Sequence, residues 1–145
     1  PGVSGRVFGA LGEAGINVKV KRVPTDGFWS DVWMKAPWTV STWYGRPTAV
    51  MMLAVTYAST APWNESYWKR PDFDALLKEA SATTDFDKRH EILCAAQRML
   101  AYEGSTVIPV FNDWIDARHD KVQDIVPNPD GFLGWMQWND VWLKT

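Results

Sequence analysis

Residues 71–104 read PDFDALLKEASATTDFDKRHEILCAAQRMLAYEG, and this stretch decides the fold because it contains two consecutive helical patterns. The first pattern begins at Pro71, a residue that suits the first turn of a helix. The second begins at Thr84 or Asp85, residue types favoured at a helix N-cap, and ends at Gly104. Apolar residues recur at helical spacing in both patterns: Phe73, Leu76, Leu77 and Ala80 in the first, and Ile92, Leu93, Ala96, Met99 and Leu100 in the second.

Outside that stretch, helical patterns alternate with strand patterns. Valines alternate with Lys and Arg over 17–23, which is typical of a half-buried strand. The sequence predicts helices over 6–14, 25–34 and 48–57, strands over 17–23, 38–43 and 106–111, a loop over 58–70 and a Pro- and Asn-rich tail from 121. Alternation of this kind predicts an α/β chain in which a short mixed sheet is flanked by helices.

The composition argues against two classes of function. Hydrophobic residues make up 46% and charged residues 22% of the chain, as in ordinary globular proteins. The net charge is −2 and Lys and Arg form no basic stripe, which argues against nucleic-acid binding. No apolar run approaches the ~18–20 residues that a membrane-spanning helix needs. Ten tryptophans are the outlier, and we expect most in the core and a few along a ligand cleft or an interface.

The sequence lacks the motifs of enzyme and metal chemistry. It contains no HExxH, no CxxC, no phosphate-binding loop and no GxSxG. His90 and His119 are the only histidines, and Cys94 is the only cysteine. Because Cys94 lies between apolar residues of a predicted helix, we expect it to be a buried packing residue. We therefore expect a protein that is not an enzyme and has neither a metal site nor a cofactor.

One short segment has the character of a recognition site: Trp43, Tyr44, Gly45, Arg46 and Pro47. Two aromatic residues end a predicted strand, the glycine lets the backbone turn, and the arginine precedes a predicted helix. Ligands of open α/β sheets bind at the loops after strands, and arginine matches a carboxylate bidentately. The alternative is structural, with Trp43 in the core and Arg46 in an ion pair. The spacing of these residues supports the two interpretations about equally.

Four stretches of the chain occur in a characteristic order. They are AGINVKV at 14–20, WYGRPTA at 43–49, the run from 64 that ends in FDALL at 73–77, and 85–100 followed by VIPVF at 107–111. Their order and spacing resemble the C-terminal third of the family 5 extracellular solute-binding proteins. These are the oligopeptide-, dipeptide- and nickel-binding proteins of ABC importers.

The resemblance implies a two-lobed, type II periplasmic-binding architecture of which this chain is a part. Residues 1–121 would form most of the C-terminal lobe, and 122–145 would return toward an N-terminal lobe that the chain lacks. The implied function is the capture of a small peptide-like, opine-like or sugar-like solute in the cleft between the lobes. The solute then passes to a membrane permease, so the implied location is periplasmic or extracytoplasmic.

At one position the chain departs from the peptide-binding members of that family. Trp43 matches their cleft tryptophan, and three residues later Arg46 stands where they carry an aspartate that pairs with the peptide's amino group. An arginine would repel an ammonium group, so we expect a ligand with a carboxylate, a phosphate or sugar hydroxyls. Trp63 and Asn64 lie in a loop that often borders the cleft in relatives. The predicted ligand-binding residues are Trp43, Tyr44, Arg46, Trp63 and Asn64.

Two alternatives remain open. One is a nickel or metal-chelate binder of the same family, although both histidines lie outside the predicted cleft segment. The other is a carbohydrate-recognition or enzyme module that uses tryptophans as stacking platforms. An enzyme of that kind needs paired carboxylates, for which Asp113 and Asp116 are the best local pair. We also expect the chain to self-associate, because surfaces that a partner lobe would cover are apolar patches.

Overall fold

The computed structural model describes residues 3–113, 115–128, 131, 135 and 137–144, and these form a small mixed domain that is rich in helix. The elements, in chain order, are α1 (Val3–Glu13), a π-helical turn (Phe28–Val32), α2 (Ala49–Thr56), α3 (Pro71–Ala82), α4 (Phe86–Glu103), β1 (Val122–Gln123) and β2 (Trp142–Leu143). No helix of this described part is long and apolar enough to cross a membrane. The predicted mixture of helices and strands is confirmed at this coarse level.

The helical pair α3 and α4 forms at the predicted place. Pro71 occupies the first turn of α3, where its missing N–H removes no hydrogen bond. Asp85 caps α4, because its Oδ1 accepts a hydrogen bond of 2.8 Å from the backbone N–H of Lys88. Gly104 follows the last turn of α4, and its N–H donates to the carbonyl of Leu100. Both helices therefore begin and end at the signals that the sequence contains.

The core consists of side chains from α2, α3 and α4. Phe73 and Ala96 are fully buried at the centre of the α3–α4 contact. Burial of a side chain such as Phe73 contributes roughly 1.5–3 kcal/mol of transfer free energy. The buried cluster is completed by Leu53, Tyr57, Leu77 and Leu100, with Ala58, Trp68, Leu76, Leu93 and Met99 packed against it.

An arginine joins the beginning of α3 to the end of α4. The guanidinium of Arg70 forms two parallel hydrogen bonds with the carboxylate of Asp72, of 3.0 and 2.6 Å, and a further one with Glu103. The hydrogen bond from Arg70 is the main reason that the pKa of Asp72 is lowered. The two carboxylates in turn raise the pKa of Arg70. The three side chains fix the relative position of the two helix ends.

At its C-terminal end, α1 closes as predicted. Gly15 has a φ of 82°, a left-handed conformation that costs little only for glycine. The N–H of Ile16 then reaches back to the carbonyl of Leu11 at 2.8 Å, as in a Schellman motif.

The three strands predicted over 17–23, 38–43 and 106–111 are wrong, because the structure pairs none of these described segments in a ladder. Val20 in the first and Phe111 in the last are 59% and 88% exposed, so the apolar side chains of these segments stay largely uncovered. Alternation of apolar and polar residues indicates which side chains a strand would bury. A stable strand also requires a neighbouring strand for hydrogen bonding, which the alternation does not provide.

The helix predicted over 25–34 is also wrong in extent. Gly27 has a φ of 85° and Met34 a φ of 56°, and both left-handed conformations interrupt a right-handed helix. Only the π-helical turn between them remains.

The two-stranded antiparallel sheet joins the two ends of the C-terminal tail. Val122 lies opposite Leu143, and Gln123 lies opposite Trp142. An isolated bridge connects Asn128 and Gly131 within the tail. The predicted division of the chain at residue 121 stays a prediction.

Candidate functional site

Glu65 is the centre of a polar cluster that joins three side chains from distant positions in the chain. Its carboxylate accepts hydrogen bonds from the indole N–H of Trp33, from the hydroxyl of Ser41 at 2.7 Å and from the indole N–H of Trp43 at 3.0 Å. Hydrogen bonds to an ionised carboxylate are roughly twice as strong as those between neutral groups. Glu65 therefore fixes the orientation of two tryptophan rings that precede it by many residues in the chain.

Four of the tryptophans form a continuous row, which we call the tryptophan row: Trp29, Trp33, Trp43 and Trp63. Successive ring centroids lie 5.3, 6.4 and 6.2 Å apart, within the range of favourable aromatic contacts. The two ends of the row are open, since Trp29 is 61% and Trp63 is 43% exposed. The row thus offers two exposed aromatic faces that are held by the two rings between them.

Asn64 holds the loop that carries Trp63 and Glu65. It is buried, and its Nδ2 donates to the carbonyl of Trp68 at 2.6 Å and to that of Ala58 at 3.3 Å. Its Oδ1 accepts a hydrogen bond of 2.9 Å from the hydroxyl of Ser66. Both ends of the Asn64 amide therefore have partners within the loop, Nδ2 with backbone carbonyls and Oδ1 with a side-chain hydroxyl.

Further contacts attach this loop to the core. The ring of Trp68 lies edge-on to Phe73 at 4.9 Å, and the N–H of Ser59 donates to Asp74 at 2.9 Å. Burial, the largest effect, raises the pKa of Tyr57 at the end of α2, a side-chain hydrogen bond with Thr106 lowers it, and the negative charge of Glu65 raises it.

Arg46 interacts mainly with its own segment. Its Nη1 donates to the carbonyls of Tyr44 and Gly45 at 3.0 and 3.1 Å. Within the described residues it forms no salt bridge, so the structural ion pair is not found there. The side chain of Tyr44 is 51% exposed beside it.

A groove of about 270 Å³ adjoins one end of the tryptophan row. Its lining contains three hydroxyl groups and no charged side chain: Val23, Pro24, Thr25, Phe28, Trp29, Val40, Ser41 and Thr42. Trp29 belongs both to the groove and to the tryptophan row, and Ser41 belongs both to the groove and to the cluster around Glu65. The groove and the tryptophan row are therefore parts of one surface.

The structure brings together Trp43 and Trp63, two of the predicted site residues, by direct ring contact. Tyr44 and Arg46 are joined by a hydrogen bond next to Trp43, and Asn64 lies inward of Trp63. Their role in ligand binding stays a prediction.

Sequence reasoning missed Trp33, Ser41 and Glu65. Ser41 and Trp43 are two residues apart, so an extended segment presents both on one side. That spacing was the only signal for a shared partner, and nothing in the sequence identified Glu65 as the partner.

The remaining reactive side chains show less organisation. Cys94 is partly buried, and its Sγ lies 3.6 Å from His90 Nε2 one helical turn away. Among the described residues, no group of three or more His, Cys, Asp or Glu is arranged to hold a metal ion.

Comparison of the chain with protein-family models, with curated proteins and with solved structures found no match.

Proposed function

We propose that this chain is the ligand-capturing part of an extracytoplasmic solute-binding protein, which collects a small solute and delivers it to an ABC permease. The proposal starts from the resemblance of four stretches of the sequence to the family 5 solute-binding proteins. The resemblance implies that Trp43 and Trp63 both border the cleft, and their rings are in contact. It is the origin of the proposal, and the geometry of the tryptophan row supports it.

The observation that carries the proposal is the fixed contact between Trp43 and Trp63. Their centroids lie 6.2 Å apart, and Glu65 holds the Trp43 indole N–H at 3.0 Å. A capture site needs rigid aromatic walls and a few placed polar groups rather than an acid, a base or a metal. Held rings lose little conformational entropy on binding, which favours affinity.

Arg46 supports a particular kind of solute. Its guanidinium is held by the carbonyls of Tyr44 and Gly45 and has no carboxylate partner within the described residues. A guanidinium without a protein anion is suited to receive a carboxylate, a phosphate or hydroxyl groups from a ligand. The proposed solute therefore has one of these groups, and the site does not recognise it through a free amino terminus.

The proposal assigns the second wall of the cleft to a further lobe. Hinge closure of two lobes on a ligand is a common switching motion, and the closed form is the one that docks on a permease. Exposed apolar side chains within 17–23 and 107–111, such as Val20 and Phe111, are suited to contact such a lobe or the rest of a larger sheet.

The decisive experiment is a thermal-shift screen of the full-length protein and its Arg46→Ala variant. The panel contains dipeptides, N-blocked peptides, acidic opine-like compounds, neutral sugars and nickel chelates. A ligand at 100 times its Kd stabilises by about 2.7 kcal/mol, which is a readable shift. Arg98→Ala is the matched control, because Arg98 is exposed on α4, away from the tryptophan row.

We expect acidic or hydroxyl-rich solutes to raise the melting temperature of the wild type and of Arg98→Ala but much less that of Arg46→Ala. Equal shifts by plain dipeptides in all three proteins would contradict the role of Arg46 and keep the capture function. Shifts by nickel chelates alone would favour the metal-chelate alternative. A panel without any shift would contradict the proposal as a whole.

A further inference from the structure

We propose that the groove beside the tryptophan row binds a neutral, hydroxyl-rich ring of the size of one pyranose. The inference rests on the proposed capture function, since it names the class of solute that this surface takes. It concerns a set of residues that the resemblance did not select, at 23–25, 28–29 and 40–42.

The lining of the groove favours an uncharged occupant. All eight lining residues are neutral, and five of them are apolar. A charged group that loses water without gaining a partner costs several kcal/mol at order of magnitude, so charged peptide ends are disfavoured here. Hydroxyl groups both donate and accept, which suits Thr25, Ser41 and Thr42 to a polyol.

Trp29 supplies a flat platform for such a ring. It is 61% exposed, and it is held edge-on between Phe28 at 5.0 Å and Trp33 at 5.3 Å. The apolar C–H face of a pyranose can lie on this indole, while hydroxyl groups at the ring edge reach the polar side chains. An amphipathic aromatic ring that is apolar on one side and wet on the other is suited to that contact.

Glu65 orients one of the hydroxyl groups of the groove, that of Ser41. The Ser41 hydroxyl donates its proton to Glu65 at 2.7 Å, so its oxygen is oriented and remains an acceptor. Ser41 therefore accepts a ligand hydroxyl proton, and the threonines are free to donate. The neutral lining thus provides both hydrogen-bond donors and hydrogen-bond acceptors.

The size of the groove limits the ligand to about one ring. Its volume of about 270 Å³ is slightly below the range of roughly 300–1,000 Å³ for pockets that enclose drug-sized ligands. The groove is open to solvent on one side, so we expect weak binding by this wall in isolation.

Saturation-transfer NMR, which detects weak binding, tests the inference with methyl β-glucopyranoside and methyl α-mannopyranoside as neutral probes. Glucuronate and diglycine serve as charged comparators. The groove variants are Trp29→Ala and Thr25→Val. Trp38→Ala is the matched control, because Trp38 is 59% exposed but lies outside the groove.

We expect at least one neutral glycoside to bind the wild type and Trp38→Ala alike. We expect Trp29→Ala to weaken it by about tenfold or more and Thr25→Val by about threefold or more. Thr25→Val preserves the shape of the side chain, so it tests the groove even when the loss of Trp29 perturbs folding. Equal binding by wild type and both groove variants would overturn the inference.

The same panel separates this inference from the proposed function. If glucuronate binds in an Arg46-dependent way and no neutral glycoside binds, the inference about the groove is overturned. That result would still be consistent with the proposed capture function. Absence of all binding, in both this experiment and the thermal-shift screen, would overturn both.

Discussion

Glu65 accepts hydrogen bonds from three side chains that lie between 22 and 32 residues away along the chain. Its carboxylate therefore joins segments that are distant along the chain, and it adds directional hydrogen bonds to the ring contacts of Trp33 and Trp43. The tryptophan row is rigid only while the carboxylate satisfies both indole N–H groups. This dependence makes Glu65 the residue whose replacement should affect the candidate site most.

We expect Glu65→Gln to destabilise the protein by about 1–3 kcal/mol, since the amide nitrogen would face an indole N–H instead of accepting from it. Urea denaturation followed by tryptophan fluorescence would measure the change. Glu79→Gln is the control, because Glu79 has only an exposed salt bridge of 3.8 Å to Lys88, and it should change stability little. Equal effects of the two substitutions would contradict the central role of Glu65.

A second residue-level prediction concerns Gly104. A Cβ on this glycine would lie 2.3 Å from the carbonyl oxygen of Leu100, which is far too close. We expect Gly104→Ala to cost about 1–3 kcal/mol. Gly9→Ala in α1 is the comparison, because its Cβ would meet nothing within 4 Å, and it should stabilise by up to about 1 kcal/mol. Thermal melts of both variants would check these opposite signs.

At the scale of elements, the helices α1 to α4 could be predicted, whereas the extent of the turn within 25–34 and the strands could not. The helices α3 and α4 begin at Pro71 and Phe86, as their caps indicate, because caps and apolar spacing are local properties of the chain. The strand over 38–43 fails because pairing is non-local and this segment has no partner strand among the described residues. Trp43 and Trp63 could be selected from sequence, whereas Trp33, Ser41 and Glu65 could not.

The junction of α3 and α4 gives a prediction on pH. Arg70 lowers the pKa of Asp72 below its ordinary value of 3.8, so the unfolded chain binds a proton more readily than the folded chain. This contribution to stability is therefore present above about pH 4 and is lost as the pH falls through the folded-state pKa.

Thermal melts from pH 5 to pH 2 would check this expectation. The wild type should lose more stability over that range than Asp72→Asn, which has no proton to gain at this position. Asp87→Asn, in the first turn of α4, is the control and should follow the wild type. Parallel curves for Asp72→Asn and the wild type would contradict the role of the Arg70–Asp72 pair.

At the scale of the whole molecule, exposed apolar side chains dominate one part of the surface. Val107, Ile108 and Phe111 are 75%, 52% and 88% exposed in a segment that pairs with no strand. Such a segment is a ready template for contact with another chain. These exposed side chains favour self-association of the chain, which stays a prediction.

Sedimentation experiments over a range of concentrations would measure it. We expect the average mass to rise with concentration for the wild type and to rise less for Phe111→Ser. Tyr102→Ser is the control, because Tyr102 is 84% exposed on α4 and lies outside the segment. An average mass that stays monomeric at all concentrations would contradict the prediction.

All buried side chains of the described residues lie between Leu53 and Leu100, whereas Trp29 and the groove precede that range. We therefore expect the two parts to differ in local stability, so that the part with the groove opens while the helices α3 and α4 stay closed. Amide hydrogen exchange would detect this as slow exchange in α3 and α4 beside fast exchange over 17–46. A solute that binds at the groove would slow amide exchange over 17–46 first. Binding would therefore be detected in the exchange rates of this part while those of α3 and α4 stay unchanged.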